Sequence, residues 1–308
     1  MRPMLATKGT RPPGGEEWWH EVKWDGVRAL ADLSADGAVR LTSRNENVIS
    51  AAWPELTTPP GEVRDLLLDA EIITIGERGV PDFRALQDRM HVRRPDAAAR
   101  WARERPAVLM VFDLLRLDGR DLTGLPLVER RARLEDLDDV LGGAWALPEV
   151  YDDGGMLWRA TSEQGLEGVV SKRRDSRYRP GERSPHWLKM PHRFRSSLVV
   201  GGWRPQEGTR DRLASLLVGE PTREGLLYRG RVGSGIAGTT STRLRDLLAP
   251  LAVDRSPFAD AVPAVDARGT FWVEPALVVD VETHGTGHAR LRQPSFQGVR
   301  TDLDPEDL

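Results

Sequence analysis

Residues 21–33 run Glu21-Val22-Lys23-Trp24-Asp25-Gly26-Val27-Arg28-Ala29-Leu30-Ala31-Asp32-Leu33 and alternate in character. They end at the turn signal Ala35-Asp36-Gly37, after which Val39-Arg40-Leu41-Thr42-Ser43 alternates again. Alternation, a turn containing Asp-Gly, and alternation again predict a β-hairpin. Further strand-like runs lie at 66–75, 107–115, 146–150 and 166–171. Helical patterns at 82–90, 97–104, 126–137 and 156–163 separate them. Hairpins imply antiparallel pairing, so the first two-thirds of the chain is predicted to be α+β, built of antiparallel sheets and helices.

The pattern changes near 191–197. Beyond it, strands are expected at 197–203, 213–218, 225–232 and 270–282, with one amphipathic helix at 242–251. Several strands and a single helix in about 110 residues suit a small β-barrel such as an OB-fold. Two domains, 1–194 and 195–308, are therefore expected, in keeping with a length of 308 residues. The acidic run 302–307 is expected to be a frayed end.

Composition narrows the chemistry. With 39% hydrophobic and 30% charged residues the sequence is that of a globular protein, without an apolar run of bilayer length. The opening residues lack the apolar core of a secretory signal, so a cytoplasmic protein is expected. The absence of Cys excludes disulfides, thiolate nucleophiles and cysteine-bound metals. Of the 44 basic residues only Lys8, Lys23, Lys172 and Lys189 are lysines. Arginine replaces lysine as surface charge, but only an amine can be deprotonated to act as a nucleophile. Although the net charge is −3, the stretch 172–195 carries nine Lys/Arg against Asp175 and Glu182. Such a stretch suits polyphosphate or a nucleic-acid backbone, and equally a solvated loop.

Two motif-like spacings lead nowhere. Gly233-Ser234-Gly235-Ile236-Ala237-Gly238 fits G-x-G-x-x-G, but Leu227-Tyr228-Arg229-Gly230-Arg231-Val232 before it alternates like a half-exposed antiparallel strand. A dinucleotide site needs a buried parallel strand there, so a turn into a helix is expected. His284 and His288 are four apart, but Gly285 and Gly287 place them on a loop rather than on one face of a zinc-binding helix. No P-loop pattern occurs, so any nucleoside triphosphate is bound without one.

What remains is a set of lysines and carboxylates with apolar flanks. Lys23 lies in Glu21-Val22-Lys23-Trp24-Asp25-Gly26-Val27-Arg28, Lys172 closes Glu167-Gly168-Val169-Val170-Ser171-Lys172, and Lys189 closes Trp187-Leu188-Lys189. Asp69-Ala70-Glu71-Ile72-Ile73 and Met110-Val111-Phe112-Asp113-Leu114 supply carboxylates and a ring. An amine nucleophile, carboxylates for a divalent metal, cations for phosphate and a ring for a base make an inventory for nucleotidyl transfer. Lys23-Trp24-Asp25-Gly26-Val27-Arg28 resembles the K-x-D-G-x-R nucleophile motif of covalent nucleotidyltransferases, and the later segments follow in the order of ATP-dependent DNA ligases. Across essentially the whole chain the sequence is similar to the ligase module of bacterial end-joining repair enzymes.

The resemblance implies an adenylation domain followed by an OB-fold domain, and a role for each residue. Lys23 would attack the α-phosphate of ATP to form a lysyl-adenylate. Glu21 would read the adenine amino group and Phe112 would stack on the purine. Arg28 and Arg44 would hold sugar or phosphate, including the 5′-phosphate of a nick. Glu71 would contact the ribose or, with Glu167, a Mg²⁺ or Mn²⁺ ion. Lys172 and Lys189 would neutralise the α-phosphate, and Arg300 would belong to the last motif, which orients the leaving pyrophosphate. The implied substrate is nicked double-stranded DNA, sealed through adenylated DNA in repair by a bacterial, nucleoid-associated monomer, with end-joining repair proteins as partners. Two positions depart from the family pattern: Pro191 and Leu303 stand where lysines are usual. Weakened self-adenylation is therefore expected, with His192, Arg193 or Arg292 as substitutes for the missing charge. An RNA ligase, a capping-type nucleotidyltransferase and an end-binding protein without turnover are the alternatives.

Overall fold

Strand alternation in this chain sets the faces of two sheets at once. In the computed structural model, which describes residues 1–308 apart from 59, 60, 62, 64, 77, 78, 210, 211, 285–289 and the side chain of Arg84, the chain divides into two units, Met1–His192 and Arg193–Leu308.

The first unit opens with β1 (Leu5–Lys8), β2 (Trp18–Val22), β3 (Val27–Leu33), β4 (Val39–Ser43) and β5 (Leu66–Ile73). Helices α1 (Phe83–Arg89) and α2 (Pro95–Glu104) lead to β6 (Val108–Leu117) and its short partner β7 (Arg120–Asp121). The unit ends with α3 (Leu127–Glu135), β8 (Trp145–Ala146), α4 (Gly154–Glu163), β9 (Gly168–Arg173) and β10 (Arg183–Pro191). A smaller sheet has the order β1-β10-β9-β2; a larger one has β4-β3-β5-β6-β7, with β8 beside β6. The pairings are antiparallel as expected, except that β1 joins β10 and β8 joins β6 in parallel.

The predicted hairpin exists as β3 and β4, paired from Ala29↔Ser43 to Leu33↔Val39. Residues 21–33, however, are not one strand. Their first part completes β2 in the smaller sheet and their last part is β3 in the larger, so 23–26 crosses between sheets. Gly26 makes the crossing: a Cβ there would lie 2.2 Å from the Ile72 carbonyl oxygen, closer than any side chain allows. Of the strand expected at 146–150 only Ala146 is in a strand, as the second residue of β8. The basic stretch is not a loop but largely the end of β9, β10 and the start of the next strand.

Three cores follow from the alternation. Ala29, Ala31 and Leu33 of β3 and Leu66, Leu68, Ala70 and Ile72 of β5 pack with Trp53, Leu86 and Leu134 on one face of the larger sheet. Leu30, Leu115, Met4, Tyr178 and Trp187 form a cluster between the sheets. Leu157 of α4 covers Val169 and Met190 on the far face of the smaller sheet. Each large apolar side chain buried this way stabilises the fold by about 1.5–3 kcal/mol.

The second unit contains β11 (Arg193–Pro205), β12 (Leu213–Thr222), β13 (Gly225–Val232), α5 (Thr239–Leu248), β14 (Ala252–Val253), α6 (Ala264–Ala267), β15 (Phe271–His284) and β16 (Ser295–Arg300). The sheet order is β13-β12-β11-β15-β14, with β16 also on β15. The sheet curls toward closure, because the Phe296 and Leu291 amides donate to the Ser234 and Arg229 carbonyls, each at 2.8 Å. Val200, Leu216, Val218 and Val279 face α5 on the inside, while Val199, Leu217 and Val278 pack under Tyr228 and Phe258 on the other side. The glycine run leads into α5 from an antiparallel edge strand, as expected of a turn and not of a dinucleotide fold. The tail is not frayed: Asp304 caps a short turn at Pro305–Asp307. His288 lies outside the described residues.

Candidate active site

Side chains on a strand alternate between faces, so register determines which groups share a surface. In the smaller sheet Glu21 is level with Val170 and Lys189, while Trp19, Lys172 and Trp187 form the next row on the same face. In the larger sheet Arg28 is paired with Glu71, two residues along from Asp69. These two faces bound a cleft with about 850 Å³ of free space, part of it open to solvent, that Phe112 also lines. The crossing segment brings Lys23 to it: the Lys23 amide donates to the Gly168 carbonyl at 2.8 Å, extending the β2–β9 pairing by one residue.

Lys23 Nζ lies 2.5 Å from a Glu167 carboxylate oxygen, both side chains being partly exposed. Glu167 is held there by its backbone. Its carbonyl accepts from the His192 amide, and the next residue, Gly168, has φ +146° and no room for a Cβ against the Met190 carbonyl. Lys172 is different. Its Nζ is 2.7 Å from a Glu21 carboxylate oxygen, with side-chain exposures of 2% and 6%. The same ammonium lies over the rings of Phe112 and Trp187, 4.4 and 4.5 Å from their centroids. Burial lowers the Lys172 pKa against the opposing pull of Glu21, Asp113 and Asp69.

Arg28 is also anchored, with Nε and one Nη donating to the two oxygens of buried Asp69 at 2.9 and 2.6 Å. The Tyr178 hydroxyl donates to Asp69 at 2.6 Å and accepts from the Met4 amide at 3.0 Å. Burial pushes the Glu71 carboxyl up to about 8, with Lys23 and Arg28 opposing and Glu167 and Asp69 reinforcing the shift. Lys189 is depressed by burial and by the nearby charges of Lys23, Arg183 and Arg44, partly offset by Glu167. The cleft therefore gathers closely spaced cations, the Lys23 amine among them, a combination suited to a polyanionic ligand.

Of the residues singled out from sequence, Glu21, Lys23, Arg28, Arg44, Glu71, Phe112, Lys172 and Lys189 all line this cleft. Glu167 adjoins it through Lys23. Arg300 belongs to the second unit, where it grips Asp302 through two hydrogen bonds of 2.7–2.8 Å and contacts Ser197 and Asp280. That pairing lowers the Asp302 carboxyl to about 2.

Two suggested substitutes for the missing lysines, His192 and Arg193, have partners of their own. His192 is buried, shares a 2.8 Å hydrogen bond with Thr161 and packs on Trp158; burial lowers its pKa, so it is neutral at neutral pH. Arg193 is ion-paired to Glu282. Leu303 packs against the cluster of Leu226, Tyr228 and Phe258, which accounts for an apolar residue at that position.

Trp187, Arg183, Asp69 and Tyr178 were not assigned roles from sequence. Trp187 and Arg183 line the cleft, and Arg183 also donates to the Ala6 carbonyl at 2.5 Å. The available signal was aromatic residues interleaved in a basic stretch, together with the period-2 match between Trp187 and Lys189.

Two facing sheets with a lysine on the segment that crosses between them make this a mixed α/β fold of the nucleotidyltransferase type. The chain belongs to the ATP dependent DNA ligase family: residues 3–190 match the ATP dependent DNA ligase domain and residues 209–303 the ATP dependent DNA ligase C terminal region. It is 39% identical, over its full length, to the multifunctional non-homologous end joining DNA repair protein LigD of Mycobacterium tuberculosis. The corresponding protein of Pseudomonas aeruginosa is 35% identical, again over the full chain. The chain spans 39% and 36% of those two proteins. Among solved structures, a mycobacterial DNA ligase D complexed with ATP and MES is similar at 37% identity and a TM-score of 0.58, over 100% of this chain and 97% of that one. The ligase domain of M. tuberculosis LigD matches at 37% identity, the same coverage and a TM-score of 0.54. The second unit is consistent with the OB-fold of these ligases.

Proposed function

We propose that this chain is an ATP-dependent DNA ligase that seals 3′-hydroxyl/5′-phosphate nicks, and that residues 1–194 form its adenylation domain and 195–308 its OB-fold domain. The observation that carries the proposal is the position of Lys23, on the segment joining the two sheets and 2.5 Å from Glu167. Once deprotonated, its amine would attack the α-phosphate of ATP, forming the N–P bond as the bond to pyrophosphate breaks. An arginine at this position would stay protonated. The AMP would pass to the 5′-phosphate of the nick, and the 3′-hydroxyl would then displace it.

The roles that the resemblance implies for the lining residues are supported by their sharing one cleft. Phe112 would stack on the purine, Glu21 would accept from the adenine amino group, and Arg28 and Arg44 would hold sugar or phosphate. Lys189, on the same face as Lys23 and depressed by burial and by neighbouring cations, would neutralise the α-phosphate. Lys172, tied to Glu21 and lying over the rings of Phe112 and Trp187, would sit at the base end of the cleft rather than at the phosphate end its motif implies. Arg300 would act on the leaving pyrophosphate.

No group of three or more His, Asp or Glu among the described residues is arranged as a metal cage. This donor set suits Mg²⁺ or Mn²⁺, which are ordinarily held by one or two carboxylates with phosphate oxygens and water. Glu167 and Glu71 would supply the protein ligands, and the ion would neutralise charge developing on the phosphates.

The names of the relatives support a role in bacterial end-joining repair, with nicked duplex DNA as substrate and repair proteins as partners. Action on DNA in the cytoplasm, as a monomer, is part of the same proposal; among the described residues no helix is long and apolar enough to cross a membrane. The test is incubation with α-labelled ATP and Mg²⁺ or Mn²⁺, followed by a nicked duplex. A label retained on the protein through denaturation, absent in Lys23→Ala and released by the nick, is expected; no label under either metal refutes the proposal.

A further inference from the structure

Helix α3 buries Leu127, Arg130, Arg131 and Leu134. This i, i+3, i+4, i+7 spacing is the stripe that an amphipathic helix normally fills with apolar residues, yet two of the four are arginines. Arg131 finds Glu135 on its own helix and the Pro148 carbonyl. Arg130, fully buried, reaches further. Its Nε and one Nη donate to the two oxygens of Asp113 at 2.8 and 2.7 Å, and its other Nη donates to the carbonyls of Leu125 and Ser176 at 2.7 and 3.0 Å.

Both ends of that fork lead to the cleft. Asp113 follows Phe112 on β6, in the larger sheet. Ser176 lies in the connection from β9 to β10, in the smaller sheet, and its hydroxyl accepts from the Trp187 indole N–H at 3.3 Å. Tyr178 stands edge-on to Trp187, with centroids 5.8 Å apart, and beneath the Arg130 guanidinium. Phe112 and Trp187 themselves meet edge to face at 6.3 Å.

We infer that Arg130 is a positioning residue for nucleotide binding, fixing through Asp113 and Ser176 the relative placement of the two rings, Phe112 and Trp187, that bound the base end of the cleft. The inference rests on the proposed base-binding role of Phe112. A buried ion pair is weak evidence for stability, because apolar residues of similar volume often serve as well. What a guanidinium offers is fixed direction: a planar fork with four donors engaged at once, which lysine cannot reproduce. The two rings otherwise meet in one edge contact and beneath two shared cations, Lys172 and Arg28, none of which fixes the backbone of both sheets.

The control is on the same helix. Arg131→Lys makes the same chemical change at a buried arginine that touches neither ring. Covalent adduct formation and equilibrium nucleotide binding are measured against ATP and GTP concentration for wild type, Arg130→Lys, Arg131→Lys and Ser176→Ala, with thermal denaturation of each. Arg130→Lys is expected to raise the half-saturating ATP concentration by about three- to tenfold, as for loss of a positioning contact, and to narrow the preference for ATP over GTP. Its maximal rate is expected to change little. Arg131→Lys is expected to lower the melting temperature and leave both nucleotide properties unchanged. Ser176→Ala keeps the carbonyl that Arg130 holds but removes the hydroxyl that links it to Trp187. It is expected to follow Arg130→Lys in direction, with a lowered melting temperature because the buried indole N–H loses its acceptor, and it decides the matter if Arg130→Lys does not fold. Equal nucleotide profiles for the two arginine variants, or an unchanged profile for Ser176→Ala in that case, overturn the inference alone. A wild-type protein that neither binds ATP nor forms an adduct overturns it together with the ligase assignment.

Discussion

Replacing Lys172 by Met removes one half of an ion pair that has almost no access to water. Lys172 and Glu21 are 2% and 6% exposed at 2.7 Å separation, so the Glu21 carboxylate left behind would be both desolvated and uncompensated. Removing one partner of such a pair costs about 3–5 kcal/mol. In a two-domain chain of this size, where about 1 kcal/mol shifts the midpoint by 2–4 °C, that corresponds to a loss of roughly 10 °C. Glu21→Gln strands the ammonium between the rings of Phe112 and Trp187 and is expected to cost a similar amount. The double variant has no charge to strand. It should therefore be more stable than the sum of the single effects implies, with a coupling of about 2 kcal/mol or more. Urea denaturation followed by far-ultraviolet dichroism of the four proteins measures this directly. Additive single effects, or a Lys172→Met protein as stable as wild type, would refute the placement of Lys172 at the base end, since a lysine reaching toward phosphate would be solvated without ATP.

Other outcomes follow from the same geometry. Gly26→Ala places a Cβ 2.2 Å from the Ile72 carbonyl; the displaced Lys23 is expected to label with ATP about 100-fold more slowly, while dichroism shows a folded protein. His20, hydrogen-bonded to Ser171 and facing Asp152, Asp153 and Arg174, and His192 on Thr161 both have pKa values lowered by burial. The unfolded chain then binds more protons below about pH 6.5, so stability is complete above that pH and falls as pH drops toward 5. A His20→Asn/His192→Phe double variant should flatten that decline in urea titrations at successive pH values. Pro191 continues the alternation of Trp187 and Lys189 on β10, so Pro191→Lys is expected to speed self-adenylation severalfold in a single-turnover assay. Leu303→Lys, by contrast, sets an amine against Leu226, Tyr228 and Phe258. It is expected to cost about 1–3 kcal/mol, read as a lower urea midpoint of the second unit.

The hairpin of β3 and β4, the helices of the first unit and the long strands of the second were legible because each has a local period and a local turn. So were the lysines, since an amine conspicuous among arginines needs no tertiary information. The break at 23–26 was not legible. Nothing in Lys-Trp-Asp-Gly distinguishes a continuing strand from a crossing, and the reason for the crossing, the Ile72 carbonyl against Gly26, comes from a strand distant in sequence. For the same reason the parallel pairing of β1 with β10 was invisible. Strand β10 itself was masked by its charges, whose alternation became meaningful only once its neighbours were known. The contrasting positions of Lys23 and Lys172, each paired with a different glutamate, depend on which face of which sheet each occupies. The burial of Arg130 and Arg131 in α3 was not legible because their partners, Asp113 and the Ser176 and Pro148 carbonyls, lie far along the chain.

Ligation by this chain depends first on Lys23 as the group that carries AMP. Intact-protein and peptide mass spectrometry after incubation with ATP and Mg²⁺ or Mn²⁺ addresses it most directly. One adenylyl group on the peptide containing Lys23, lost on adding a nicked duplex as the strand is sealed, is predicted. An adenylyl group on another residue, or one on Lys23 that a nicked duplex leaves in place, would contradict it.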